Sequence, residues 1–108
     1  MPEKMPKVKV TVVKRTNLKE LYGNKLPAKI NEAMLTPQCD QFKEGQEFIM
    51  GLECPPNFCS WAFADIQRDI IHILMGGSYP WVKEEGVAIS CCTDGFRPVI
   101  FRIERVKD

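Results

Sequence analysis

One amphipathic stretch constrains this chain more than any other feature. Between Asn57 and Met75, the residues Phe58, Ala62, Ile66, Ile70, Ile73 and Leu74 recur at helical spacing, and the double glycine Gly76-Gly77 stops the run. The remaining apolar patterns are short and alternate with period two, so this helix must bury its stripe against strands. With 108 residues the chain has room for one core, because splitting it would leave two pieces near the lower limit of independent folding.

The strands follow from alternation. Val8, Val10 and Val12 share one side of a segment spanning Lys7 to Arg15, and Phe48, Met50 and Leu52 share one side of a second, shorter segment. Asn17 is placed to cap a short helix through Tyr22, with Gly23 able to close it in a left-handed conformation. Residues 24–44 carry Pro27 and Pro37 and no sustained stripe, which predicts an irregular excursion. Residues 1–6 read as a flexible N-terminus.

The C-terminal third reads as a hairpin. Val87, Ile89 and Cys91 form one alternating set and Val99, Phe101 and Ile103 another. A loop of Thr93, Asp94 and Gly95 places both sets on one face, with Gly95 at positive φ and a bulge at Phe96. Cys91 is then expected in the core and Cys92 on the opposite side. The order of elements predicts a single α+β domain: a mostly antiparallel sheet of about four strands, with the main helix packed on one face.

Composition narrows the partners. Fifteen Lys and Arg against fourteen Asp and Glu leave a formal charge of +1, without the basic excess that nucleic acid or an anionic membrane selects. No apolar run reaches the roughly 18 residues needed to cross a bilayer. The opening Met1-Pro2-Glu3-Lys4-Met5-Pro6 lacks the features of a secretory signal, which points to the cytoplasm, where thiols stay reduced. Five cysteines, an odd number, agree with free thiols rather than a disulfide framework.

Gly45-Gln46-Glu47-Phe48, Phe58-Cys59-Ser60-Trp61-Ala62, Gly76-Gly77 with Pro80-Trp81, and Cys91-Cys92-Thr93-Asp94-Gly95 with Arg97-Pro98-Val99 occur in that order. In these motifs, over roughly Lys7 to Arg105, the chain resembles a family of small uncharacterised prokaryotic proteins of about this length. The resemblance implies a single compact domain and brings no catalytic residue with it.

Chemistry must therefore be read from the side chains. Cys59 falls at the start of the main helix, where free N–H groups and the helix dipole favour a thiolate, and it is the candidate nucleophile. His72, the only histidine, lies about 20 Å further along a continuous helix and cannot serve Cys59 as a base. Asp65, Arg68, Asp69 and His72 line one helix edge, where Asp69 could raise the proton affinity of His72 and where solvated ion pairs explain the same spacing. Cys39, Cys54, Cys59 and Cys92 are the candidate ligands for zinc or an iron–sulfur cluster, although Pro55 and Pro56 stiffen the loop between Cys54 and Cys59. Trp61 and Trp81 are candidate walls of a ligand pocket, with Asp94 and Arg97 at the hairpin turn as its polar contacts.

These features suggest a small cytosolic ligand-binding or accessory domain, oligomeric or bound to a larger enzyme. The alternative is a thiol- or metal-dependent redox enzyme; a nucleic-acid module using Lys7, Lys9, Lys14 and Arg15 ranks below both. If the thiols are free, reductant leaves the melting temperature unchanged. A loss equivalent to about 2–5 kcal/mol, the usual effect of removing a native bridge, would contradict the reduced-thiol reading.

Overall fold

The computed structural model describes residues 6–106, so residues 1–5 of the segment expected to be flexible lie outside the described residues. The elements run β1 (Val8–Arg15), α1 (Leu18–Tyr22), β2 (Glu47–Met50), α2 (Ser60–Leu74), β3 (Val87–Cys91) and β4 (Val99–Arg105). The four strands form one antiparallel sheet in the order β2-β1-β4-β3. This is the expected α+β architecture, with a C-terminal hairpin and one main helix.

β1 lies inside the sheet because its valines fill the core face: Val8, Val10 and Val12 are buried. A bulge between Val12 and Lys14 then breaks the register with β4 and leaves Val13 half exposed. Asn17 caps α1 as expected, its Oδ1 accepting from the Glu20 N–H at 2.7 Å, and Gly23 closes the turn at φ 60. In α2 the buried residues are Ala62, Phe63, Ile66, Ile70, Ile73 and Leu74, and the stripe lies on β3 and β4. Arg105, at the end of β4, seals the C-terminus of α2 by donating from Nε to the Ile73 carbonyl at 3.0 Å and from Nη2 to that of Gly77 at 2.7 Å. Gly86 makes room for this side chain: a Cβ there would come within 2.9 Å of the guanidinium, at a φ of 71.

α2 covers only part of the sheet. The rest of the inner face is closed by aromatic rings from irregular segments, Phe42 of the excursion and Phe58 before α2. Their centroids lie 5.0 Å apart, and they stand 5.2 Å and 5.6 Å from that of Phe101 on β4. The excursion is tethered to the elements around it: Leu18 N–H donates to the Pro37 carbonyl at 3.1 Å, and the Gln38 side chain donates to the Arg15 carbonyl at 3.2 Å.

The hairpin corrects three expectations. Ala88 pairs with Ile103, Ser90 with Phe101 and Cys91 with Ile100, so Cys91 does not share the face of Val99 and Phe101. Cys91 is exposed and Ile89 is 55% exposed, whereas Ala88 is buried. The reason is space: β3 lies under α2, and Ala88, Ser90 and Cys92 are small enough to let the helix approach. Pairing continues to Cys92, whose N–H reaches the Val99 carbonyl at 3.1 Å, so the connection is longer than the expected Thr93-Asp94-Gly95 loop. Gly95 is not among the positive-φ glycines. The Asp94 carboxylate instead turns the chain by accepting from the Phe96 N–H at 3.0 Å.

The outer face of the sheet carries a charge ladder. Lys9 lies 3.6 Å from Glu47 and 3.5 Å from Glu104, and Arg102 pairs with Glu104 at 3.5 Å and with Glu84 at 2.7 Å. The Arg102 guanidinium holds the Glu84 carboxyl below its ordinary range.

Two substitutions in β3 test the corrected register. Ala88→Leu should overpack the helix–sheet interface and cost about 1–3 kcal/mol in urea denaturation. Ile89→Ser, on the open face, should change stability by no more than about 0.5 kcal/mol. The reverse order would restore the register expected from hydropathy alone. Phe42→Ala, which removes the ring closing the uncovered half of the core, should cost about 3–5 kcal/mol.

Candidate functional site

A cavity of about 430 Å³ opens where the excursion, the start of α2 and the β3–β4 connection meet. Each wall is tied to the next. Asp65 on α2 accepts from the Thr93 N–H at 2.8 Å and from its hydroxyl at 2.9 Å, which fixes the connection to the helix. Arg97 donates from Nη1 to the Thr36 hydroxyl and to the Gln38 carbonyl, both at 2.7 Å, which fixes the connection to the excursion. Tyr22 of α1 donates its hydroxyl proton to the Gly95 carbonyl. Phe42 lines the cavity and belongs to the core at the same time.

This cavity gathers Cys39, Cys59, Trp61, Cys92, Asp94 and Arg97, all singled out in the sequence. Arg97 is chiefly a structural staple: its side chain is only 15% exposed, Nη1 is occupied twice, and Nε lies 3.3 Å from Asp94 Oδ2 as an ion pair without hydrogen-bond alignment. Trp61 is 76% exposed and stands at the rim.

The thiols differ in surroundings. Burial pushes the Cys39 thiol above its ordinary range, and a hydrogen bond with the Gln41 backbone and the charge of Arg97 oppose that shift. Cys59 is the N-cap residue of α2, just before its first turn, and its side chain makes no capping bond. Cys92 Sγ accepts from the Val99 N–H at 3.3 Å. Cys54 lies apart, lining a second cavity of about 450 Å³ with Ile49, Leu52, Pro55, Leu74 and Met75. Its Sγ lies 3.5 Å from the Pro55 carbonyl and 3.6 Å from that of Phe58, and burial followed by the neighbouring Cys59 raises its thiol. All five cysteines are free, and among the described residues no group of three or more His, Cys, Asp and Glu side chains is arranged to hold a metal ion.

Trp81 does not join Trp61. It stacks on Tyr79 with ring centroids 4.8 Å apart, and Tyr79 in turn lies 4.5 Å from His72, forming an aromatic column beyond the far end of α2. Asp69, which the sequence placed either beside His72 or on a solvated edge, accepts the Tyr79 hydroxyl proton at 2.5 Å, and that bond holds the phenol above its ordinary range. His72 Nε2 lies 2.9 Å from the Ser78 carbonyl, within the chain reversal after the helix.

Asp65 is the cavity residue that sequence reasoning assigned elsewhere, to a solvated helix edge. Its signal was present: it lies four residues after Trp61, so the two share a helix face.

The exposure of Cys91 puts it, rather than Cys59 at the helix start, first in line for a thiol reagent. With substoichiometric N-ethylmaleimide at pH 8, peptide mass spectrometry should find Cys91 modified before Cys39 and Cys59: it is the one exposed thiol of the five, and the partial burial and neighbouring Cys92 that raise its thiol slow the reaction without reversing the order. Initial labelling at Cys39 would contradict this ordering. No family model, curated protein or solved structure matches the chain, so the site is read from its own residues.

Proposed function

We propose that the protein is a small cytosolic ligand-binding domain whose ligand occupies the cavity between α2, the β3–β4 connection and the excursion. The observation that carries this reading is the convergence of Trp61 and Asp65 from α2 with Asp94 and Arg97 from the β3–β4 connection on one cavity of about 430 Å³. That volume lies within the roughly 300–1,000 Å³ of small-molecule sites, and the mixture of an apolar wall with few polar groups is what such sites use. The exposed Met34, Ile49, Ile89 and Trp81 support a further element of the proposal, that the domain works in an oligomer or as an accessory to a larger enzyme.

A second reading, thiol chemistry, draws support from Cys39, Cys59 and Cys92 lining the same cavity. In that reading Cys59 is the attacking thiol, because it sits at the helix start, while burial pushes the Cys39 thiol up.

A fragment library screened by NMR against ¹⁵N-labelled protein separates these readings. Hits should shift the Trp61 indole N–H and the amides of Thr93 and Arg97, and should protect Cys59 from maleimide while leaving Cys91 reactive. Cys59→Ser should retain fragment binding if the site only binds. Hits clustered instead around Leu52 and Met75 would move the site to the second cavity and sink the proposal.

A further inference from the structure

The geometry points to a small organic cation, an ammonium group carried on a compact apolar body, as the class of ligand that this cavity takes. The inference rests on the binding-site reading above and adds the ligand's charge. The cavity lining carries two carboxylates, Asp65 and Asp94, and one guanidinium, Arg97. Arg97 is paired with Asp94 at 3.3 Å, which leaves Asp65 as the unmatched charge. Among the described residues no Lys or Arg forms an ion pair with Asp65; its oxygens accept only from the Thr93 N–H and hydroxyl, both neutral donors. One helical turn before it stands Trp61, 76% exposed at the same rim.

An indole face and an unmatched carboxylate on the same side of one helix are complementary to an ammonium group: the ring quadrupole attracts the cation and the carboxylate supplies the opposite charge. Behind them the wall is made of Leu35, Phe42, Ala62 and the three thiols, which offers an apolar body no competing charge. The N-terminus of α2 works in the other sense, since its free N–H groups favour an anion. Its effect amounts to about half a charge and fades within the first turn, whereas Asp65 carries a full charge in the second turn.

Three probes of nearly equal size test the assignment: cyclohexylammonium, cyclohexanol and cyclohexanecarboxylate, each titrated into ¹⁵N-labelled protein and read at the Trp61 indole N–H and the Thr93 amide. Cyclohexylammonium should bind about five- to tenfold more tightly than cyclohexanol, and the carboxylate more weakly than either. Asp65→Asn keeps an oxygen to accept from Thr93, so it should retain cyclohexanol binding while abolishing the preference for the cation. Trp61→Leu should weaken the cation more than the alcohol. Equal affinity for all three probes, or a preference for the carboxylate, overturns the charge assignment and leaves the binding site standing. Absence of binding by every probe overturns the site along with it. Retained cation preference in a folded Asp65→Asn protein, with an unchanged Thr93 environment, shows that another group selects the charge and overturns the role of Asp65.

Discussion

The width of the sheet against the width of a helix is the constraint on which the rest of the structure depends. Four strands at roughly 4.8 Å spacing span about 15–19 Å, while a helix with its side chains is about 10–12 Å across. α2 can therefore cover about two strands, and it lies mainly over β3 and β4. The inner face of β1 and β2 still carries Val8, Val10, Phe48 and Met50, which must leave water. Phe42 and Phe58 supply that cover, packing edge-to-face on Phe48 at 6.0 Å and 4.9 Å. The core is closed by a helix on one side and by two rings from irregular chain on the other. A seam between two unlike covers is where close packing is hardest to achieve, and the candidate site opens along it.

This division explains which parts of the fold were legible in the sequence. β1 and α2 were readable because α2 buries one face along most of its length and β1 does so from Val8 to Val12, and periodicity records that directly. The α1 cap was readable because Asn17 and Gly23 act locally. The excursion was recognisable only as irregular, since Phe42 enters the core from a segment without a period. β3 was misread for a different reason: Val87, Ile89 and Cys91 are more apolar than Ala88, Ser90 and Cys92, yet the face under a helix is selected for small volume as well as apolarity. Hydropathy ranks the two faces one way and helix approach ranks them the other.

The candidate site was legible residue by residue but not as an arrangement. Cys39, Cys59, Trp61, Cys92, Asp94 and Arg97 do line one cavity, although nothing in their spacing distinguished them from Cys54 and Trp81, which lie elsewhere. Long-range ties make the difference, and their donors and acceptors are ordinary: Arg97 to the Gln38 carbonyl and Asp65 to the Thr93 N–H. Such bonds leave no local pattern, because either partner could have met a different carbonyl or amide in another topology. Asp65 was hidden by a pattern of its own, since its i,i+3 and i,i+4 companions Arg68 and Asp69 imitate a solvated ion-pair edge. Each of these three side chains has a different fate: Asp65 faces the cavity, Arg68 is exposed and Asp69 holds Tyr79.

Charge is distributed in the same divided way. On the open face of the sheet, Lys9 and Arg102 are matched with Glu47, Glu84 and Glu104, and at the α1 end Lys14 lies 3.2 Å from Glu20. Two of the basic side chains that a nucleic-acid reading would recruit, Lys9 and Lys14, are thus engaged with carboxylates, and exposed pairs of this kind contribute little to stability. Within the cavity, the same accounting of neighbours assigns different work to two residues of similar prominence in the sequence. Arg97 is nearly buried and holds two segments together, so its removal would open the wall before it altered any contact with a ligand. Asp65 fixes the connection with neutral donors and keeps its charge unmatched, which makes it both a support for the wall and the source of the cavity's electrostatic character.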